Sequence, residues 1–218
     1  MGLTPTERTV IRRGPEKAAF DVATLYDVLD SSLIAHVGIC DSSGQPFVLP
    51  TAFARVENSV AFHGSTASRL FKSLAHGSPC CLTVTCLDGL VLARSAFESS
   101  MNYRSAVVLG VPQVVTGDRE LAVLESISEH LMPGRWSEIR PPAEQELKAT
   151  LTLVLELAEC SVKIRRGGPE DVPDDLATTP WSTTWAGHVP MSTTFGTPVA
   201  DPHTPANTPI PQYIGDWR

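Results

Sequence analysis

Paired cysteines are missing from this chain. Cys40, Cys80, Cys81, Cys86 and Cys160 are odd in number and contain no C-x-x-C pair, so the paired spacing of a structural zinc site is excluded. Most sit inside apolar runs such as Cys80-Cys81-Leu82-Thr83-Val84, where a reduced thiol behaves as a small hydrophobe. A reducing, cytoplasmic compartment is the expectation. Long apolar stretches are missing as well: no segment approaches the roughly 18–20 consecutive apolar residues of a membrane helix. The opening MGLTPTERTVIRRGPEK carries charge with no apolar stretch behind it, and reads as an arm rather than a secretory leader. Positive charge is in deficit, with 17 Lys and Arg against 24 Asp and Glu and a net charge of −7. No overall basic field exists to draw nucleic acid or an anionic membrane, so any bound phosphate must be held by a local cluster. There is no internal repeat, and no glycine motif of a dinucleotide-binding fold.

What is present is a chain of 218 residues, 42% hydrophobic and 19% charged. That is globular composition, long enough for a substantial core. Residues 1–20 read as an N-terminal arm and residues 21–167 as one domain. Residues 168–218, rich in proline and threonine, read as a tail. Asp21 is placed to cap a helix through ATLYDVLDSS. LIAHVGIC and PFVLPTAFARV, broken by DSSG, read as a hairpin, and VAFHG as a further strand. STASRLFKSLAHG reads as a helix closed by Gly77. PCCLTVTCLDGLVLARSAF reads as two strands pivoting at Asp88-Gly89, and YRSAVVLGVPQVVTG as one strand bent at Gly110 and Pro112. Asp118 is expected to cap the helix DRELAVLESISEHL. RPPAEQELKAT follows as a short helix, and TLTLVLELAECSVKIRRG as a last long strand with Leu151, Leu153, Leu155 and Leu157 on one face. About six strands with inserted helices predict a mainly antiparallel barrel rather than a doubly wound sheet.

Two stretches carry chemistry-bearing side chains. Ser65-Thr66-Ala67-Ser68-Arg69 follows a strand and opens a helix. Free N–H groups, hydroxyls and a two-pronged guanidinium there suit an anion; an ordinary serine-capped helix with a surface arginine has the same pattern. His63, just before it, reads either as a hydrogen-bonded histidine at a strand end or as one facing a ligand. The second stretch runs from Arg94 through Asn102, Tyr103, Arg104 and Ser105, which could close a polar pocket or simply make surface ion pairs.

Taken together, YDVLDSSLIAHVGICDSSGQPFVLPTAFAR, FHGSTASRLFKSL, DGLVLARSAFESSMNYRSAVVLG, HLMPGRWSEIRPP and WAGHVP resemble the flavin-nucleotide-binding branch of the pyridoxamine 5′-phosphate oxidase-like family, which includes nitroimidazole-resistance-type reductases. The resemblance spans Asp21 to Pro190. It implies a split β-barrel homodimer with FMN sites at the subunit interface. Pro50, Thr51 and Ala52 would line the isoalloxazine ring. His63, Gly64, Ser65, Ser68 and Arg69 would hold the ribityl-phosphate, and Thr83 and Thr85 would lie beneath the flavin. Asn102, Tyr103, Arg104 and Ser105 would approach from the partner, as would Trp185. Two departures argue against vitamin B6 oxidation: Leu70 follows Arg69 where an Arg–Lys pair is usual, and the tail ends IPQYIGDWR without the family's Arg-Leu-His-Asp-Arg run.

With FMN bound, the cofactor carries the redox chemistry and the protein positions it. His63 is then the acid–base candidate near neutral pH. Arg104 or Arg94 would stabilise negative charge near the ring. The substrate would be a small organic molecule or oxygen. A binding or sensing module without turnover is the alternative, holding a flavin or a haem ligated by one of His36, His63, His76, His130, His188 and His203. Deazaflavin is a further option. Trp181, Trp185 and Trp217 are expected to anchor the tail on the partner, in contrast to a disordered tail.

Overall fold

A computed structural model describes residues 2–217. Ten strands form one antiparallel sheet. In chain order the elements are β1 (Ala18–Ala19), α1 (Val22–Asp30), β2 (Ile34–Cys40), β3 (Pro46–Val56), β4 (Ser59–Ser65) and α2 (Arg69–Ala75). Then come β5 (Cys80–Leu92), β6 (Ser100–Gly110), β7 (Gln113–Val115) and α3 (Asp118–Leu131). The last are α4 (Glu144–Lys148), β8 (Thr150–Glu156), β9 (Glu159–Arg165), α5 (Pro173–Ala177), β10 (Gly187–Pro190) and α6 (Gln212–Asp216). The sheet order β1-β9-β6-β5-β2-β3-β4-β8-β7, with β10 added to β5, curls the sheet into the expected split barrel.

Several local signals act as anticipated. Asp21 accepts the Thr24 N–H at 2.7 Å and starts α1. Gly77 adopts φ +89° just beyond α2 and donates its N–H to Leu74 O. Four readings are corrected. β5 runs unbroken through Asp88-Gly89 with a bulge between Leu87 and Gly89; the reversal comes later, between Leu92 and Ser100. Glycine is required at position 89 because a Cβ there would lie 2.7 Å from the Val189 carbonyl of β10. The expected bend at Gly110–Pro112 is a full break: β6 pairs with β5 and β9, and β7 pairs with β8. The expected last long strand is the hairpin β8–β9, which turns at Leu157-Ala158 without glycine or proline. Gly117, not Asp118, is the N-cap of α3.

Strand alternation sorts side chains into two cores. Phe53, Phe62, Leu153 and Leu155 point into the barrel, where α1 and α2 add Leu25, Leu29, Phe71 and Leu74. On the opposite face of β3, β4 and β8, small residues Ala54, Ala61 and Val154 receive Val123 and Ile127 of α3. The N-terminal arm lies along β9, through an ion pair of Arg8 with Glu159 and a bond from Lys163 Nζ to Arg13 O of 2.8 Å.

Gly64 shows how tightly the larger core is filled. A Cβ at that position would lie 2.2 Å from the Phe71 ring. Gly64→Ala is therefore expected to destabilise by roughly 1–3 kcal/mol through overpacking, read as a melting temperature lowered by several degrees.

Candidate functional site

The sheet leaves a gap. On one edge of β5, β2 pairs only as far as His36↔Thr83, and β10 begins only at Pro190↔Gly89. Among the described residues, the one backbone bond to that edge between these points runs from the Met191 N–H to Asp88 O, at 2.9 Å. A cleft of about 680 Å³ opens there, lined by Thr85 to Asp88, by Ser31 to Ile34, and by Met191 to Thr193 of the tail. Backbone N–H and C=O groups that lack a strand partner seek other ones, so the exposed edge can hydrogen-bond the rim of a planar heterocycle.

Strand alternation also decides which of the expected site residues share a face. Cross-strand register puts Pro50, His36 and Thr83 in one row and Thr85 and Ser105 in another. Pro50, Ala52, Thr83, Thr85, Tyr103 and Ser105 therefore lie on the outer face. His63 joins them because it shares the face of Ala61 rather than that of the barrel-facing Phe62. Thr51 falls on the interior face with Ala35, its register partner. Asn102 and Arg104 also turn away from the outer face. Asn102 is buried, with its amide held between Arg165 Nη1 at 2.8 Å and Gly167 O at 3.0 Å. The run Asn102–Ser105 thus cannot act as one contact surface.

The arginines differ in what holds them. Arg104 grips Asp88 through Nε and Nη2, at 3.0 and 3.1 Å. Its Nη1 reaches Asp27 at 3.1 Å and Ser31 at 2.9 Å. The hydrogen bonds it donates to Asp88 first, and the charge of that carboxylate, hold this guanidinium protonated well above the ordinary arginine range. With two carboxylates around it, Arg104 ties α1 to β5 and β6, and the end of the cleft is left acidic. Arg94 pairs with Asp171 at 2.6 Å. Arg69 has no ion pair among the described residues; its guanidinium lies 3.8 Å over the Phe47 ring.

At the end of β4 the chain turns tightly into α2. The Thr66 N–H and hydroxyl both donate to Ala149 O, and the Ala67 N–H donates to Ser65 Oγ at 3.1 Å. Ser68 caps α2 without a side-chain hydrogen bond. Among the described residues neither its hydroxyl nor the Arg69 guanidinium has a hydrogen-bond partner, so both can meet an anion.

His63 is half-buried, and its Nδ1 is fully enclosed without a hydrogen-bond partner among the described residues. Burial pulls its pKa below the ordinary histidine value, which keeps the ring neutral. Its register partner Thr152 donates to Glu120 Oε1 at 3.1 Å, placing a buried carboxylate one residue away. Glu120 has no sequence signal beyond that of an acidic residue in the first turn of a helix. The other histidines divide. His130 Nε2 is 2.8 Å from Ser32 O and His76 Nδ1 is 2.6 Å from Lys72 O, while His36 is exposed on the outer face. Trp185 is 65% exposed, with its ring against Gly187. The cysteines are free thiols, and burial pushes Cys80 and Cys160 up to about 12. Among the described residues no group of three His, Cys, Asp or Glu could hold a metal ion, and no helix is long and apolar enough to cross a membrane.

The lowered pKa of His63 makes acid sensitivity measurable. The unfolded chain takes up the proton near pH 6.5 and the folded chain only below that. Stability is thus complete above pH 6.5 and declines as pH falls through the folded-state pKa. His63→Leu is expected to flatten this part of the stability curve, measured as melting temperature between pH 7.5 and 5.

Comparison with known proteins places the whole arrangement. The family model described as pyridoxamine 5′-phosphate oxidase matches residues 21–164. A FAD and haem binding protein from Mycobacterium smegmatis is 37% identical, with a TM-score of 0.87, covering 92% of this chain and 97% of that one. A flavocytochrome from Azotobacter vinelandii is 38% identical, with a TM-score of 0.90 and 99% of both chains covered. A protein described as a 5-nitroimidazole antibiotic resistance protein, from Bacteroides thetaiotaomicron, shares the fold at 17% identity, with a TM-score of 0.56 over 67% of this chain and 86% of that one. No curated protein matches. Barrel topology, matched segment and near-complete coverage by two relatives agree, and the chain belongs to the pyridoxamine 5′-phosphate oxidase-like family.

Proposed function

We propose that this protein is a flavin-binding redox protein, with haem as a second group, acting on a small organic substrate or oxygen. The observation that carries the reading is the near end-to-end similarity to a FAD and haem binding protein and to a flavocytochrome. The residues fit a flavin. The outer-face residues Pro50, Ala52, Thr83, Thr85 and Ser105 offer a flat wall, and the β5 edge offers backbone groups without a strand partner. Ser68 and Arg69 offer donors not taken up by any carboxylate among the described residues. Once bound, a flavin supplies hydride and electron transfer. The protein would orient it, exclude water and hold a proton at His63. Arg104, neutralised by Asp88 and Asp27, serves better as a clamp than as an anion stabiliser. His63 also fits a haem, since only neutral imidazole ligates iron; with Nδ1 enclosed, Nε2 would be the ligating nitrogen.

The chain is proposed to work as a homodimer with the cofactor site at the interface, in a reducing cytoplasm that suits its free thiols. Val189, Leu90 and Met101 lie side by side across three strands and are 48, 47 and 47% exposed. Ile34 and Val48 extend the apolar exposure onto β2 and β3. Such an exposed row suits a second copy.

Absorption spectra of the purified protein, with flavin and haem titrated in, test the reading. Saturable flavin binding is expected, and Arg69→Ala should weaken it about 10- to 100-fold, the loss of one charge-assisted contact of roughly 1.5–3 kcal/mol. His63→Ala should leave flavin binding intact and abolish the intense haem band if the ring ligates iron, or abolish turnover alone if it moves a proton. Wild-type protein that binds neither group would overturn the proposal. Leu90→Lys is expected to shift the molecular mass measured by light scattering from dimer to monomer.

A further inference from the structure

A second cavity, of about 430 Å³, lies between the end of α3 and the C-terminal segment. Three rings of that segment wall it. Phe195 and Trp217 are 5.6 Å apart, and Tyr213 and Trp217 are 6.0 Å apart. Their polar tips are engaged on the protein: Trp217 Nε1 donates to Pro133 O at 3.1 Å and Tyr213 OH donates to Glu138 at 2.6 Å. The faces left to the cavity are therefore apolar and aromatic. Leu33 and Leu131 close the opposite side. The ring of His130 also borders the space, but its Nε2 is occupied by the Ser32 carbonyl. The polar side chain in the lining without a partner among the described residues is Asp216, a hydrogen-bond acceptor.

This chemistry selects its occupant. Aromatic walls favour a flat ring, and a lone carboxylate favours a ring that carries an N–H donor and disfavours one that presents only carbonyls. Position narrows it further. Leu33 borders both this cavity and the cleft at the β5 edge. We infer that the Phe195–Tyr213–Trp217 cavity seats the adenine ring of a dinucleotide flavin, with Asp216 accepting from the exocyclic amine. The C-terminal segment then sets the choice of FAD over FMN. The inference rests on the flavin reading and adds a second anchor to it.

Calorimetric titration of FAD and FMN into the full chain, Trp217→Leu, Phe195→Ala and Asp216→Ala tests it. These side chains lie outside both cores, so the barrel is expected to remain folded. Base–aromatic stacking predicts that wild type prefers FAD by about tenfold or more. Each variant should lose most of that preference with FMN affinity unchanged, and 5′-AMP should compete with FAD but not with FMN. Equal binding of FAD and FMN by wild type, or a preference that survives in all three variants, would overturn the inference and leave the flavin reading standing. Binding of neither flavin would overturn both. Quenching of tryptophan fluorescence by 1,4-naphthoquinone that disappears in Trp217→Leu would assign the cavity to a carbonyl-bearing substrate instead, and also overturn it.

Discussion

The stretch of β5 between Thr83 and Asp88, without a strand partner on one edge among the described residues, is the constraint on which the rest depends. A sheet edge with open hydrogen-bonding groups is normally covered or charged. Here β2 covers one end and β10 the other, and the interval between them is the floor of the cleft. α1 is held to this region by Arg104, which bridges Asp27, Ser31 and Asp88. The bulge at Leu87–Gly89 brings Asp88 into reach of that guanidinium. Sheet pairing, bulge and ion network together hold an opening where regular pairing would close one.

The electrostatics divide along the same line. The guanidiniums nearest the cleft and the β5–β6 turn, Arg104 and Arg94, are neutralised by carboxylates, and the cleft end is acidic. Arg69, at the far end of β4, rests on an aromatic ring instead. A molecule with one anionic end and one neutral ring would therefore find direction in the site, with its negative part drawn to α2 and its ring to the outer sheet face. In a chain of net charge −7, that local asymmetry matters more than the overall field.

Much of the barrel was legible because short-range signals dominate it. The Asp21 cap, the Gly77 terminus and the alternating Leu151–Leu153–Leu155 pattern each depend on neighbours within a few residues. The failures share a cause. Asp88-Gly89 has the composition of a hairpin turn, but the glycine answers a strand a hundred residues away. The turn at Leu157-Ala158 has no turn residues, since the Leu157 N–H is satisfied by Asn58 O across the sheet. Site residues followed the same rule. The Ser65–Arg69 turn was visible as a local motif. Asn102–Ser105 looked contiguous in sequence, yet the two-residue period of a strand sends alternate members to opposite faces. Glu120 and the Met191–Thr193 wall come to the site only through tertiary packing.

The C-terminal segment has a further consequence. It is pinned twice, by the β10–β5 ladder and by the Trp217–Pro133 hydrogen bond, so the stretch between is a closed loop rather than a free end. The entropy of closing such a loop grows only logarithmically with its length. Residues between Phe195 and Pro211 can thus be lengthened, shortened or replaced at small cost, while the two pins cannot. Among relatives, variation in sequence and length should concentrate in that interval, and the residues around Gly187–Pro190 and Tyr213–Trp217 should change little.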